Sequence, residues 1–324
     1  MRLPGPVIQC CAVLRQAGYA AHPVGGCVRD LLLGRVPGDW DVCTSAHPER
    51  VRALFDHTVP TGIRHGTVTV VLEGVAIEVT TFRREHGYGD SRHPDAVTFD
   101  ADLKADLSRR DFTVNAMALG EAGEILDPFG GRADLEHKLI RAVGDPWSRF
   151  SEDALRILRG VRFAAQLGFA LEARTAAAME KCAPLADRVS AERITVELEK
   201  VLLSPRPEWM EEFARLGVLD RFAPLPKDCD WASLAQVPME KKARWRAFCA
   251  LTGFSIETLP VERSVRMAVR HPEREIVKVL ALTGADLYAF GLRGKAIGTA
   301  QKRLALHVLE HPEDNTPERL RELL

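Results

Sequence analysis

The sequence Val24–Thr44, VGGCVRDLLLGRVPGDWDVCT, is the stretch from which the fold of this chain is best predicted. Its glycine pair precedes an apolar run that predicts a short helix ending at Gly34, and the GDWDVCT that follows alternates like a strand. Asp39 and Asp41 stand two residues apart in that run, so their side chains are expected on one face. Two carboxylates this close are costly unless a cation lies between them. The stretch therefore predicts a cation site close to a glycine turn.

The glycine pair and the acid pair together suit phosphate chemistry. Gly25 and Gly26 would let backbone N–H groups approach an anion, and Arg29 could reach a phosphate as well. On a strand the Cα atoms of Asp39 and Asp41 would lie roughly 6–7 Å apart. Their carboxylates could then bracket two divalent ions about 3.5–4 Å apart, which is the spacing used for in-line attack on phosphorus. A plain strand–turn–helix with two solvated acids is the alternative that this stretch alone leaves open.

The composition is that of an ordinary globular protein. The chain has 324 residues, of which 46% are hydrophobic and 27% charged, and its formal net charge is −1. It is long enough for two or more domains, since single cores stop growing near roughly 250–300 residues. No window approaches the roughly 18 consecutive apolar residues of a membrane helix. Seven cysteines without a C-x-x-C pair argue against disulfides and a zinc site, and favour a cytoplasmic location.

Two patterns divide the chain. Up to about residue 126 short strand-like and helical runs alternate, and GTVTVVLEG and VAIEVTTF are predicted to be adjacent strands joined near Gly74. Residues 101–119, ADLKADLSRRDFTVNAMAL, are predicted to be helical with a break near Asp111. From about Gly131 onward the pattern is helical nearly throughout. The sequence thus predicts a small mixed α/β head followed by an all-helical arm.

Two further motifs carry charges. In SRRDFTVNAMA, Arg109 and Arg110 stand beside Asp111, and guanidinium forks of this kind suit triphosphate oxygens. In SEDALRILRGVRFAAQLGF, residues 151–169, four charged residues recur every three positions along one drifting helix face. They are Asp153, Arg156, Arg159 and Arg162. Taken singly, the two motifs favour a solvated helix turn and a salt-bridged surface helix.

Together these blocks resemble a known family. GGCVRDLLLG…DWDVCT, RRDFTVNAMA and EDALRILRGVRFAAQLGF, in this order and spacing, resemble the bacterial class II tRNA nucleotidyltransferases, the CCA-adding enzymes of the polymerase-β-like superfamily. TGIRHGTVTVV, IEVTTFR, RHPD, LDPFGG and SAERITVELEKVL match as well. The resemblance implies an α+β fold with a nucleotidyltransferase head over residues 1–136. A helical neck over residues 137–204 would select the nucleotide, and a helical body and tail over residues 205–324 would bind tRNA.

The resemblance also implies roles for individual residues. Asp39 and Asp41 would be catalytic and hold two Mg²⁺ ions, one acting on the tRNA 3′-hydroxyl and the other on the triphosphate and leaving pyrophosphate. Asp153 and Arg156 would bind the Watson–Crick edge of cytosine or adenine, with the carboxylate accepting from the amino group. The other nucleotide-binding residues would be Gly26, Arg29, Arg110, Arg159 and Arg162, the last two securing either the helix face or the phosphates. Glu78 is a candidate third acid, and an outward-facing strand residue is the equal alternative.

The implied function is template-independent addition or repair of the 3′-terminal CCA of tRNA from CTP and ATP, with no membrane partner. CC-only relatives usually lack a flexible loop, which RREHGYGDSRHPD (Arg83–Asp95) supplies here, whereas A-only addition and poly(A) polymerase activity stay open as alternatives. A non-catalytic tRNA- or nucleotide-binding protein is the alternative of another class. Basic residues within 241–246, 263–270 and 293–303 are candidate tRNA-binding surfaces or ordinary solvated faces.

Overall fold

A five-stranded sheet forms the centre of the head in the computed structural model, which describes residues 3–63, 66–86, 96–99 and 102–324. Its strands are β1 (Ala21–Pro23), β2 (Trp40–Thr44), β3 (Thr58–Gly62), β4 (Thr67–Leu72) and β5 (Val75–Thr81). Their order across the sheet is β1-β2-β5-β4-β3. β2 and β5 run parallel, and the other neighbouring pairs of this sheet are antiparallel. The predicted hairpin of β4 and β5 is confirmed, with positive φ at both Glu73 and Gly74 of its turn.

Short helices and strands surround this sheet. They are α1 (Gly5–Gln16), α2 (Gly26–Leu32), α3 (Pro48–Leu54), β6 (Arg84–His86), β7 (Ala96–Thr98), α4 (Leu103–Ser108), β8 (Ala118–Leu119), β9 (Ile125–Leu126) and α5 (Gly131–Glu136). Helices α1 and α3 contact the sheet face that presents the fully buried Val42, Val70 and Ile77. On the opposite face Glu78 is exposed and Thr67 and Thr80 are half-buried. Alternation along the strands therefore produces one buried and one partly open face.

The predicted helix over residues 101–119, with a break near Asp111, forms as far as Ser108, and after the break the chain forms the 3₁₀ turn Thr113–Asn115 and β8 where a helix was predicted. The carboxylate of Asp111 accepts hydrogen bonds from the backbone N–H of Phe112 and from the side-chain amide of Asn115, at 2.8 and 3.3 Å. Local bonds of this kind offer the backbone an alternative to a helix. Phe112 also forms a β-bridge with Ala142, so the segment leaves the helical path and crosses the buried interior.

The remainder of the chain is helical, as predicted, apart from the two-residue strands β10 (Leu139–Ile140) and β11 (Ala170–Leu171). Its first helices are α6 (Pro146–Glu152), α7 (Leu155–Leu167), α8 (Ala173–Cys182), α9 (Ala191–Leu202), α10 (Met210–Leu216), α11 (Ser233–Gln236) and α12 (Lys241–Thr252). The last are α13 (Arg263–Arg270), α14 (Glu273–Val277), α15 (Gly284–Ala289), α16 (Lys295–Glu310) and α17 (Pro317–Glu322). The predicted α+β class is confirmed.

One hydrophobic core runs from Val7 to Val265, and a smaller one lies between Leu280 and Leu320. The larger core is continuous across residues 136 and 204, at which the sequence predicts the ends of head and neck. None of the helices in the described residues has both the length and the apolar character needed to cross a membrane.

Candidate active site

The two predicted catalytic acids lie at the start of β2. Asp39 is exposed and precedes β2, which begins at Trp40. The strand therefore starts one residue after Asp39, although the sequence predicts both acids on it. Asp41 is on the strand and half-buried. The backbone N–H of Val24 donates to the carbonyl oxygen of Asp41 at 3.0 Å. This bond holds the residue before the glycine pair directly against the second acid.

Glu78 lies beside Asp41. The two residues are partners in the register of the parallel β2–β5 pair, so both side chains lie on the partly open face. Burial raises the pKa of the Asp41 carboxyl to about 6, with the charges of Glu78 and Asp39 acting in the same direction and Arg110 acting against them. The negative charges of Glu78 and Asp39 thus both act on the Asp41 carboxyl.

The donor set suits a hard divalent cation. Within the described ranges, no group of three or more His, Cys, Asp or Glu side chains is gathered closely enough to hold a metal ion alone. Mg²⁺ is usually held by one or two carboxylates, with substrate phosphates and water completing its shell. The carboxylates of Asp39 and Asp41, with the unfavourable charge around Asp41, fit that mode of binding.

The glycine turn lies under an arginine. Gly25 has a φ of +80°, and a Cβ at this position would lie 2.8 Å from Nη1 of Arg110 and 3.7 Å from Oδ2 of Asp41. A side chain there would therefore combine a strained backbone with a clash. The Nε of Arg110 is buried and has no hydrogen-bond partner among the described residues. Arg110 thus lies between the glycine turn and Asp41 with part of its donor capacity unused.

A buried carboxylate positions both predicted arginines. Asp106 is fully buried and accepts from Arg109 at 2.7 Å and from Arg110 at 3.3 Å. Burial acts to raise the pKa of Asp106, but the two guanidinium groups outweigh it and lower the pKa below its usual range. Both arginines are consequently fixed by an ionised group behind them.

Gly26 and Arg29 belong to α2. Gly26 is its first residue, and a Cβ there would lie 3.6 Å from Nη2 of Arg29. Nη1 of Arg29 donates to Oδ1 of Asn115 at 2.7 Å, and its guanidinium pairs with Asp30 at 2.9 Å. The same group lies 5.4 Å from the ring centroid of Phe163 on α7. Arg29 therefore connects the glycine turn with α7.

Asp153 is not on the helix face that the spacing predicts. It lies between α6 and α7, where Oδ1 accepts from the backbone N–H of Leu155 at 3.0 Å. Its carboxylate also pairs with Arg193 of α9 through two hydrogen bonds of 2.7 and 3.2 Å. Arg193 thus holds the orientation of a predicted base-selecting group from another helix.

Arg156 is on α7 and is buried. Its guanidinium donates to Glu152 at 2.5 Å, to the carbonyl oxygen of Arg149 at 3.1 Å, and to that of Arg109 at 3.0 Å. The bond to Arg109 joins this predicted base-selecting residue to the segment that carries Arg110, which is predicted to bind the triphosphate.

Arg159 and Arg162 form ion pairs that hold α7 in place. Arg159 binds Asp111 at 2.6 Å, and Arg162 binds Glu197 of α9 at 2.6 Å. Burial acts to raise the pKa of Asp111, but Arg159 and then Asn115 outweigh it and lower the pKa to about 2. Of the two roles that the sequence left open for these arginines, the contacts are those of residues that secure the helix face.

Several residues of the site escaped the sequence analysis. Asp106 and Glu152 stand three or four residues before the arginines they bind, a spacing that indicates helical ion pairs and could have revealed them. Arg193 and Asn115 reach their partners across 40 and 86 residues, and the sequence gives no local signal for such contacts. The predicted loop Arg83–Asp95 and the motif RHPD lie largely or wholly outside the described residues, as do two residues of TGIRHGT.

The chain's sequence and fold match those of proteins that transfer nucleotides. Residues 21–141 match the family model described as the Poly A polymerase head domain. Residues 168–229 match the one described as the probable RNA and SrmB-binding site of polymerase A. The head is therefore that of a polymerase-type nucleotidyltransferase.

Individual relatives indicate which group of nucleotidyltransferases the chain is most similar to among the proteins compared. The chain is 46% identical over 253 residues to the CCA-adding enzyme of Anoxybacillus flavithermus, a match that spans 76% of this chain and 63% of that enzyme. It is 41% identical over 319 residues to the CCA-adding enzyme of Geobacillus thermodenitrificans, a match that spans 93% of this chain and 78% of that enzyme. The crystal structure of the Bacillus stearothermophilus CCA-adding enzyme in complex with CTP superposes with a TM-score of 0.75 at 34% identity, over 99% of this chain and 82% of that enzyme.

The chain belongs to the family of CCA-adding enzymes. It spans about half to two thirds of the length of most of the curated relatives that it matches.

Proposed function

We propose that this protein adds or repairs the 3′-terminal CCA of tRNA, using CTP and ATP and releasing pyrophosphate. The observation that carries the proposal is the arrangement around Asp41, where the acids meet Arg110 over a glycine turn. Carboxylates for metal ions and guanidinium groups for a triphosphate are the two requirements of this chemistry, and they adjoin here. Membership of the CCA-adding family supports tRNA as the substrate.

Asp39 and Asp41 would hold divalent ions, which we propose to be Mg²⁺, with Glu78 as a third acid on the neighbouring strand. When bound, such ions lower the pKa of the attacking 3′-hydroxyl and stabilise the triphosphate and the leaving pyrophosphate. Arg110, Arg29 and the backbone at Gly26 bind the triphosphate. Arg110 is suited to this role because Asp106 fixes it from behind and its guanidinium lies against the glycine turn and lines a cavity with Asp41.

Asp153 and Arg156 select the base in this proposal. The carboxylate accepts from the exocyclic amino group that cytosine and adenine share, and the guanidinium donates to the ring nitrogen. Guanine and uracil would bring a carbonyl oxygen against the carboxylate. Arg193 and Glu152 hold the two groups before a nucleotide arrives, so the selection is pre-organised.

The helical part of the chain is proposed to select the nucleotide and to bind tRNA. We propose that residues 137–204 form the nucleotide-selecting neck and that residues 205–324 bind the tRNA acceptor stem by shape and phosphate contacts. A cytoplasmic location is proposed because all seven cysteines are free thiols, which suits a reducing compartment.

The test is extension of tRNAs that lack CCA, CA or A at the 3′ end, with each of the four triphosphates alone and in combination. We expect CTP to extend the first two tRNAs and ATP to complete all three. Incorporation of ATP alone, onto tRNA ending in CC alone, would replace the proposal with A-only addition. Successive ATP additions to any RNA would indicate poly(A) polymerase activity, and absence of all incorporation would leave a non-catalytic binder.

The variant Asp39→Asn tests the proposed metal-binding role of the acids. Asp56→Asn is the control, because Asp56 is exposed in the same head. We expect Asp39→Asn to abolish addition of both C and A while tRNA affinity, measured by filter binding, changes less than about twofold. The Asp56 variant should keep both. Normal C addition by the Asp39 variant would contradict the assignment of this residue.

A further inference from the structure

The sheet face that carries Asp41 continues across β5 and β4 as a hydroxyl surface. Thr80 stands two residues after Glu78 on β5, and Thr67 of β4 is its partner in the antiparallel register. The two hydroxyl oxygens lie 3.0 Å apart in a hydrogen bond. Both side chains are half-buried and lie on the same face as Asp41 and Glu78, because side chains two apart on a strand share a face.

A small cavity lies between these hydroxyls and Asp41. Its volume is about 190 Å³, and its polar lining consists of Asp41, Thr67, Thr80, Arg83, Arg109 and Arg110. Pockets that enclose whole small-molecule ligands measure roughly 300–1,000 Å³, so this cavity suits one part of a larger substrate. Guanidinium groups bind phosphate oxygens, and paired hydroxyls can both donate to and accept from a sugar hydroxyl.

The position of the cavity indicates which part of the substrate it receives. In the sheet order, β2 has β1 on one side and β5 on the other. Val24, which precedes the glycine turn, and Arg110 line the end of the cavity where the triphosphate is proposed to bind, whereas Thr67 and Thr80 line the end over β4 and β5. In an in-line displacement the attacking and leaving oxygens lie on opposite sides of the phosphorus. The attacking hydroxyl is therefore expected from the direction of the threonines.

We propose that the threonine end of this cavity binds the terminal ribose of the tRNA 3′ end, and that Thr67 and Thr80 contact the 2′-hydroxyl of that ribose. The contact places the adjacent 3′-hydroxyl next to Asp41. It also lets the protein distinguish RNA from DNA at the end it extends, since the 2′-hydroxyl is the group in which they differ. The inference rests on the proposed function, because only a primer-extending enzyme needs such a site.

The experiment compares Thr67→Val and Thr80→Val with Thr69→Val. Valine keeps the shape and the strand preference of threonine while removing the hydroxyl. Thr69 is the matched control because its hydroxyl forms a similar pair with Thr61 at 2.9 Å on β4 and β3, and it does not line the cavity. Thermal unfolding of each variant verifies that it is folded.

Each variant is assayed on a tRNA that the wild-type protein extends, and on the same tRNA with a 2′-deoxyribose at its 3′ end. One hydrogen bond is worth roughly a 2- to 10-fold change in equilibrium. We expect kcat/KM for the ribose-ended tRNA to fall by about this factor in the Thr67 and Thr80 variants and to stay unchanged in the Thr69 variant. Replacing the terminal ribose by 2′-deoxyribose should lower kcat/KM of the wild type by a similar factor. The same replacement should not lower kcat/KM of the Thr80 variant any further. Binding of CTP alone, measured by calorimetry, should be unaffected.

Three results would overturn the inference. The first is equal activity of all three variants on the ribose-ended tRNA. The second is a loss of kcat/KM on the 2′-deoxy end that is as large in the Thr80 variant as in the wild type. The third is weaker inhibition by pyrophosphate in the Thr67 and Thr80 variants with an unchanged deoxy penalty, which would assign the cavity to the leaving group. If the wild-type protein extends no tRNA, the proposed function itself fails.

Discussion

The ion pair of Asp111 and Arg159 joins the head to α7, and Asp111→Asn should destabilise the protein by an amount that depends on pH. Asp111 is buried, and its carboxylate accepts from Arg159 at 2.7 Å. Its pKa is lowered from the usual 3.8 to about 2. At about 1.4 kcal/mol per pH unit, this difference corresponds to roughly 2 kcal/mol of folding free energy at neutral pH. Asparagine keeps the shape of the side chain and removes its charge.

The direction of the pH dependence follows from the lowered pKa. The unfolded chain binds the proton of Asp111 more tightly than the folded chain does, so the contribution is fully present above about pH 4 and disappears as the pH falls through about 2. The variant and the wild type should therefore differ by a constant amount between pH 7 and pH 5. Below about pH 4 the difference should shrink, because the wild type then loses the same charge.

Urea unfolding, followed by circular dichroism at several pH values, measures this difference. Asp56→Asn is the control and should leave the free energy of unfolding unchanged within about 0.5 kcal/mol, as expected of a surface substitution. In an Arg159→Gln background the Asp111 substitution should cost much less, since the partner charge is gone. The reasoning is refuted if Asp111→Asn costs nothing at pH 7, or if the cost is the same with and without Arg159.

Three further predictions concern the active site. Asp153→Asn should reduce the discrimination against UTP and GTP by about 1–3 kcal/mol, because an amide can donate to a carbonyl oxygen. Unchanged selectivity among the four triphosphates would contradict base reading by Asp153. Arg193→Met should lower selectivity among the four triphosphates in the same assay with tRNA affinity unchanged, since the residue orients Asp153 through two hydrogen bonds. Loss of tRNA binding with intact selectivity would argue for an RNA contact instead. Gly25→Ala should raise the KM for CTP more than that for tRNA, because its Cβ would lie 2.8 Å from Nη1 of Arg110; equal changes in both would argue against a triphosphate site at this turn.

The sequence predicted the parts of the site that depend on local patterns. The hairpin of β4 and β5 follows from alternating apolar residues around a tight turn near Glu73-Gly74, and the structure places both turn residues at positive φ. The glycine pair, the two aspartates and the arginine motif were recognisable because each is short and contiguous. Their resemblance to one family then implied a common site.

Contacts between distant segments were not predictable in this way. Asp41 and Glu78 become neighbours only through the parallel pairing of β2 and β5, whose register has no signal in either strand. Asp153 leaves its predicted helix face because it sits between two helices and pairs with Arg193. The helix predicted to resume after the break near Asp111 does not form, because buried side-chain bonds outweigh the local helical pattern, which is a tertiary effect.

The contacts on α7 connect the residue proposed to select the base with the segment proposed to bind the triphosphate. Arg156, proposed to bind the base, donates to the carbonyl oxygen of Arg109, and that carbonyl belongs to the same peptide group as the N–H of Arg110. A displacement of Arg156 by a wrong base would therefore move the backbone that positions Arg110 at the triphosphate. The buried pair of Asp111 and Arg159 restricts the same segment one residue further on. If the base and the triphosphate bind as proposed, we expect a mismatched base to weaken its own phosphate contacts, which would make selection stricter than the base contacts alone would allow.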